Sequence, residues 1–148
     1  MSKQFKLKII TPERLVLEDM VDQVSIPTKE GEITVLDSHI PLIASLSKGE
    51  IIAKSFNEDI PFLVVGGFVE VKNNDQGETE VAILADFAEH VSEINEEIIA
   101  KAYTNSEILR QKMADKSHVD FEHFETELER SLSRIKIADK WRNKKYRR

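Results

Sequence analysis

The side chains able to carry chemistry are few and scattered along the chain. Asp37-Ser38-His39 holds the residue types of a nucleophile, its base and an orienting acid, but neighbours in an extended segment point to alternate sides, and such triads draw their members from distant segments. A polar turn ahead of Ile40-Pro41 accounts for the same residues. The remaining histidines are His90, His118 and His123. The last two lie about 140° apart around a helix and cannot grip one metal ion from one face. No GxxxxGK[ST] loop, GxGxxG turn, GxSxG elbow or HExxH pair occurs, and there is no cysteine. Thiol nucleophiles, thiolate zinc sites and disulfides are thereby excluded. The expectation is no catalytic residue, no metal and no cofactor.

Two further features invite a binding reading. Gly66-Gly67 interrupts the apolar runs at residues 62–65 and 68–71; missing side chains inside a strand mean a bulge or the close approach of another backbone. A phosphate cradle would need a helix N-terminus behind it, and no helical pattern follows. The tail Trp141-Arg142-Asn143-Lys144-Lys145-Tyr146-Arg147-Arg148 mixes bases with aromatics, the footprint of a nucleic-acid binder. Cations also suit a helix C-terminus, and an acidic remainder with pI near 5.3 repels a polyanion at long range. A protein surface of opposite sign fits the tail better than DNA.

The elements that position these residues divide the 148-residue chain in two. Residues 1–88 hold 15 acids and 8 bases, residues 89–148 hold 12 and 13, and eight of those bases crowd into residues 134–148. Every glycine and proline lies before residue 78, so turn chemistry is confined to the first part. There, period-two alternation at Phe5, Leu7 and Ile9, and at Val24 and Ile26, predicts half-buried strands. The runs at residues 62–65 and 81–84 predict central strands covered on both faces. With turn signals near residues 11–12, 27–31, 37–38, 47–49, 57–59 and 73–77, the first part is expected to be an all-β sandwich.

From Ile94 the period becomes helical. Ile94, Ile98, Ala102, Asn105, Leu109 and Met113 fall on one stripe, capped by Asn95 or Ser92, up to about Lys116. A second stripe, Phe121, Phe124, Leu128, Leu132, Ile135 and Ala138, follows an Asp120 cap. Running to about Lys145, it would be on the order of 37 Å long. The short link at residues 117–120 predicts an all-α antiparallel two-helix hairpin over residues 89–148. Each helix has one narrow apolar stripe, enough to bury against the other helix or the sandwich and not both, so a hairpin with a choice of neighbours stands beside the plainer reading of an ordinary packed hairpin that never moves. No stretch approaches the roughly 20 apolar residues of a membrane span, and no signal-peptide pattern opens the chain. A soluble, cytosolic protein is expected.

Gly31-Glu32-Ile33-Thr34-Val35-Leu36-Asp37-Ser38-His39-Ile40-Pro41-Leu42 resembles the glycine-Glu and His-x-Pro-Leu segment of the epsilon subunit of bacterial rotary (F-type) ATP synthases. Val65-Gly66-Gly67-Phe68-Val69-Glu70-Val71 is similar to that family's GG-x-hydrophobic-E-V strand, and Ala82-Ile83-Leu84-Ala85-Asp86 to its V-L-A-D ending. The motifs keep the family's order and spacing, and the resemblance spans essentially the whole chain. It implies a non-catalytic central-stalk subunit coupling rotor rotation to ATP synthesis, peripheral on the cytoplasmic face of the bacterial plasma membrane. Its implied partners are the gamma subunit and the ring of c subunits. Glu30, Gly31, Glu32, His39 and Pro41 would contact them. In the family the helices also extend along gamma toward the alpha and beta catalytic subunits and inhibit ATP hydrolysis. Arg130, Arg134, Lys136 and Lys140 would engage acidic beta-subunit surface in that state.

Where many members bind ATP through I/L-D-x-x-R-A, this chain reads Ile94-Asn95-Glu96-Glu97-Ile98-Ile99. Asn95, Ile98 and Ile99 replace the Asp, Arg and Ala, which removes the charge-assisted contact to phosphate. A free-standing β-sandwich adaptor with a helical interaction arm fits composition and periodicity equally well, and co-purification with gamma separates the two.

Overall fold

The computed structural model describes residues 3–114 and 121–147. Eight strands precede two helices: β1 (Phe5–Ile10), β2 (Leu15–Val21), β3 (Gln23–Thr28), β4 (Gly31–Leu36), β5 (Leu42–Ser45), β6 (Gly49–Ser55), β7 (Glu58–Asn73), β8 (Thr79–His90), a 3₁₀ turn at Val91–Glu93, α1 (Glu96–Ala114) and α2 (Phe121–Trp141). The chain forms two compact units. One comprises Met1–His90 with Lys145–Arg148, the other Val91–Lys144. Lys145, Tyr146 and Arg147 therefore belong with the strands, not with the helices that precede them.

In the first unit the strands run in the order β2-β1-β8-β7-β6-β3-β4, with β5 added to β7. Alternation does the local work. Phe5, Leu7 and Ile9 are buried while Lys6, Lys8 and Ile10 are only partly so, and Val24 and Ile26 turn inward the same way. The inward side chains meet in one core with Ile51, Phe62, Val64, Val69, Val71, Val81 and Ile83.

β7 and β8 are central, as the apolar runs predict. β7 is also covered on both faces where Phe62, Leu63 and Val64 are consecutively buried. β8 differs from expectation. It alternates, with Val81 and Ile83 inward and Leu84 half exposed, because its outer face at that point is left open.

The long β7 pairs with β6 through its first half and with β5 through its second, and the change falls at Gly66-Gly67. No register shift occurs there: Val65 pairs with Phe87 and Gly67 with Ala85. The glycines instead permit close approach. A Cβ on Gly67, whose φ is +111°, would collide with the Leu84 carbonyl oxygen, and one on Gly66 would strike the Asp86 carboxylate. Of the two readings open for this pair, contact with the neighbouring strand is the one realised.

In the second unit α1 packs on α2. Asn95 is the cap: its Oδ1 accepts from the Ile98 amide at 2.9 Å. The inward stripe of α1 is Ala102, Ser106 and Leu109; Asn105 faces out, so the predicted stripe was one residue off at that turn. In α2, Ser131, Ile137, Ala138 and Trp141 are buried, whereas Leu132, expected inside, is exposed. The helix ends at Trp141, short of Lys145, giving a length of about 31 Å. Residues 115–120, with His118, the Asp120 cap and the link, lie outside the described residues, as do the side chains of Met113, Phe121 and Phe124.

A candidate docking surface

The outer face of the sheet carries apolar side chains where alternation would place polar ones. In β5, Leu42 and Ala44 pack toward the core, which turns Ile43 and Ser45 outward. Ser45 is registered with Phe68 and Ile43 with Glu70. Phe68 is registered in turn with Leu84, and Leu84 with Ile10 of β1. Ile43 is 74%, Phe68 56% and Leu84 50% exposed. Four adjacent strands at about 4.8 Å spacing make this a band roughly 15 Å across. Exposed apolar bands rimmed by polar groups mark interaction sites, and Glu70 and the exposed Asp86 supply the rim.

The residues singled out in the sequence frame this band without forming one cluster. Glu30, Gly31 and Glu32 sit on the exposed β3–β4 turn, where Gly31 adopts φ +115°. The Thr28 hydroxyl fixes that turn, accepting from the Glu30 amide and donating to the Gly31 carbonyl. His39 and Pro41 follow the other end of β4, roughly 17 Å away along the strand. There Ser38, at φ +68°, donates its amide to Thr79 Oγ1 at 2.8 Å. The His39 ring meets the Ile40 carbonyl through Nδ1 at 2.7 Å. β5 spans the gap: it begins just after Pro41, and at its far end the Ser45 carbonyl accepts from the Lys29 amide at 3.0 Å. Ile43 lies between. Sequence reasoning gave Ile43, Phe68 and Leu84 no docking role; the available clue was one apolar residue at an outward position in each of three strands.

Of the four bases on α2, Arg130 and Arg134 lie on one strip and Lys136 and Lys140 on another, since residues four apart differ by about 40° and residues 130 and 136 are about 120° apart around the helix. Arg130 and Arg134 are half-buried, Lys136 and Lys140 exposed. Among the described residues no group of acids and histidines is arranged to hold a metal ion.

Residues 4–91 match the family described as the ATP synthase delta/epsilon chain, β-sandwich domain. The ATP synthase epsilon chain of Nitratidesulfovibrio vulgaris is 36% identical over 138 residues, covering 93% of this chain and 97% of that one. The chain belongs to the ATP synthase epsilon family. The epsilon chain of Dehalococcoides mccartyi is 39% identical over 141 residues, covering 94% of this chain and 95% of its own. Among solved structures, a chain in the Euglena gracilis mitochondrial ATP synthase, determined as an OSCP/F1/c-ring assembly, superposes with a TM-score of 0.66 at 25% identity. It covers 92% of this chain and 81% of that one. A Tetrahymena thermophila mitochondrial chain shares the fold, with a TM-score of 0.53, 13% identity, and coverage of 94% and 96%. Family membership makes this epsilon chain a non-catalytic subunit of a membrane-associated rotary enzyme. Among its described residues no helix is long and apolar enough to cross a membrane.

Proposed function

We propose that this epsilon chain sits in the central stalk and couples rotor rotation to ATP synthesis, with residues 1–88 as the rotor-contacting body and residues 89–148 as a regulatory arm. The observation that carries the reading is the Ile43–Phe68–Leu84 band on a sheet packed tightly enough to transmit torque. Its occupant is the gamma subunit, with His39 and Pro41 at one edge. The separate Glu30–Gly31–Glu32 turn faces the loops of the c-ring, where its carboxylates set register and orientation more than affinity. Two contact zones at opposite ends of β4 suit two different partners.

The arm, when extended, reaches the alpha and beta catalytic subunits and inhibits ATP hydrolysis. Extension uncovers Arg130 and Arg134 in addition to Lys136 and Lys140, so the basic surface offered to an acidic partner is larger in that form. No ATP is held at Asn95, Ile98 and Ile99. The Asn95 side chain already serves the Ile98 amide, and neither isoleucine offers a cation to phosphate. The whole is peripheral, held through its partners on the cytoplasmic face of the bacterial plasma membrane.

Pulling this chain from its native membranes tests the assembly: gamma and c subunits are expected to accompany it. Recovery of the chain without gamma would favour the free-standing adaptor. Deleting everything after Glu89 tests the arm, with a rise in ATP hydrolysis by the assembled complex expected and unchanged hydrolysis refuting the inhibitory role.

A further inference from the structure

The tail after α2 turns back onto the strands and is fixed there at three points. Arg147 donates its backbone amide to the Asp59 carbonyl of β7 at 2.8 Å. Its guanidinium meets the Asp19 carboxylate of β2 at 2.5 Å. Its carbonyl accepts from His90 Nε2, at the end of β8, at 2.9 Å. Tyr146 adds a ring contact with His90 at 5.9 Å between centroids, and His90 stands edge-on to the buried Phe62 at 5.0 Å. The other Asp19 oxygen accepts from the Met20 amide at 2.8 Å, which holds the carboxylate in place for the arginine.

We propose that Tyr146 and Arg147 are a clamp that pins the outgoing end of the helical unit to the sandwich, and that its opening is the step that frees the arm. The second half of this statement rests on the extended, inhibitory form proposed above; the first half does not. The argument is topological. The helical unit begins at Val91, directly after His90, and ends at Lys144, three residues before Arg147. His90 and Arg147 are hydrogen-bonded to each other, so the unit is a loop of chain closed at its neck.

Only five residues separate Trp141 from Arg147, six Cα–Cα steps with a reach of about 20 Å at full extension. With the neck closed, the end of α2 stays within that distance of the start of the 3₁₀ turn. Separated end to end, α1 and α2 would carry it further, being roughly 28 and 31 Å long. Arm extension and a closed clamp exclude each other.

The test uses the full-length chain with Asp19→Ala, and a charge swap that joins Asp19→Arg to Arg147→Asp. In the isolated chain, amide hydrogen exchange at residue 147 is read against that of β8. A partly exposed ion pair of this kind predicts about two- to fivefold faster exchange in Asp19→Ala, with recovery in the swap and no change in β8. Unchanged exchange in Asp19→Ala overturns the clamp. In the assembled complex, Asp19→Ala is expected to lower ATP hydrolysis by favouring the released arm. If hydrolysis is unmoved by Asp19→Ala yet rises on deletion after Glu89, the gating role is overturned. If the deletion also leaves hydrolysis unmoved, the inhibitory reading fails, and the exchange result alone decides the clamp.

Discussion

Replacing Phe68 by alanine separates docking from folding. Phe68 is 56% exposed; for a side chain of about 200 Å² that leaves roughly 110 Å² for a partner to cover, worth about 2.8 kcal/mol at ~25 cal/mol per Å². Alanine retains a small part of that area, so the expected loss is about 2 kcal/mol, or about 30-fold in Kd for gamma. The sandwich itself should not notice, because Val69, not Phe68, enters the core from this part of β7. Isothermal titration of purified gamma into wild-type and variant chains reads the first quantity, and thermal unfolding reads the second. A Kd changed less than about threefold with an unchanged melting temperature would place gamma elsewhere. A large fall in melting temperature would instead mean that the ring supports the fold.

Gly67→Ala forces a Cβ into the Leu84 carbonyl at positive φ and is expected to cost about 3 kcal/mol in thermal or urea unfolding, whereas Gly77→Ala, with open space around it, costs about 1 kcal/mol. Equal effects would mean that the two strands do not approach at Gly67. Asn95→Ala removes the α1 cap and should speed hydrogen exchange of the Ile98 amide about fivefold without disturbing the strands. The hydrogen bond from Arg147 holds the Asp19 carboxyl below the ordinary aspartate range, against the opposing effect of partial burial. A carboxyl depressed in the folded state contributes stability above its unfolded value, near ~3.9, and loses it as pH falls through the folded value. The stability difference between wild type and Arg147→Ala in urea unfolding should therefore be constant around neutral pH and shrink below about 4; a difference that changes near neutrality would point to another group.

The first unit was legible because strand alternation is local. Phe5, Leu7 and Ile9 declare an inward face by themselves, and Phe62, Leu63 and Val64 declare a strand covered on both sides. β8 misled because Ala82 and Leu84 are as apolar as Val81 and Ile83, which hides the period of two and with it the outward Leu84. For the same reason the docking band was invisible: its members are named by pairings such as Phe68 with Leu84 and Ser45 with Phe68, which no local window contains. In the helices the error was one of phase. Ser106 and Ser131 are buried where Asn105 and Leu132 were expected, since small residues allow close helix approach that hydrophobicity alone does not reveal. The Arg147–Asp19 pair joins residues 128 positions apart, and nothing in a basic tail announces its acid.

The two units are built to different standards, and that difference is mechanical. The sandwich core contains large side chains withdrawn completely from water, among them Phe5, Leu7, Ile9, Ile26, Ile51 and Phe62, and close packing of this kind resists deformation. Among the described side chains of α1 and α2, those buried are Ala102, Ser106, Leu109, Ser131, Ile137, Ala138 and Trp141. Alanine and serine bury little apolar area, so the positions Ala102, Ser106, Ser131 and Ala138 gain less from burial than the large side chains of the sandwich core do. Isolated helices of this length are marginal in water, and most helical stability in proteins comes from tertiary packing. In the reading proposed above the helical unit is an arm that changes neighbours, and its resting position is decided by whatever closes its ends. The hydrogen bonds and ion pair that gather Arg147, Asp19, Asp59 and His90 provide that closure on the rigid unit. In that reading the rigid unit carries the fastening for the arm.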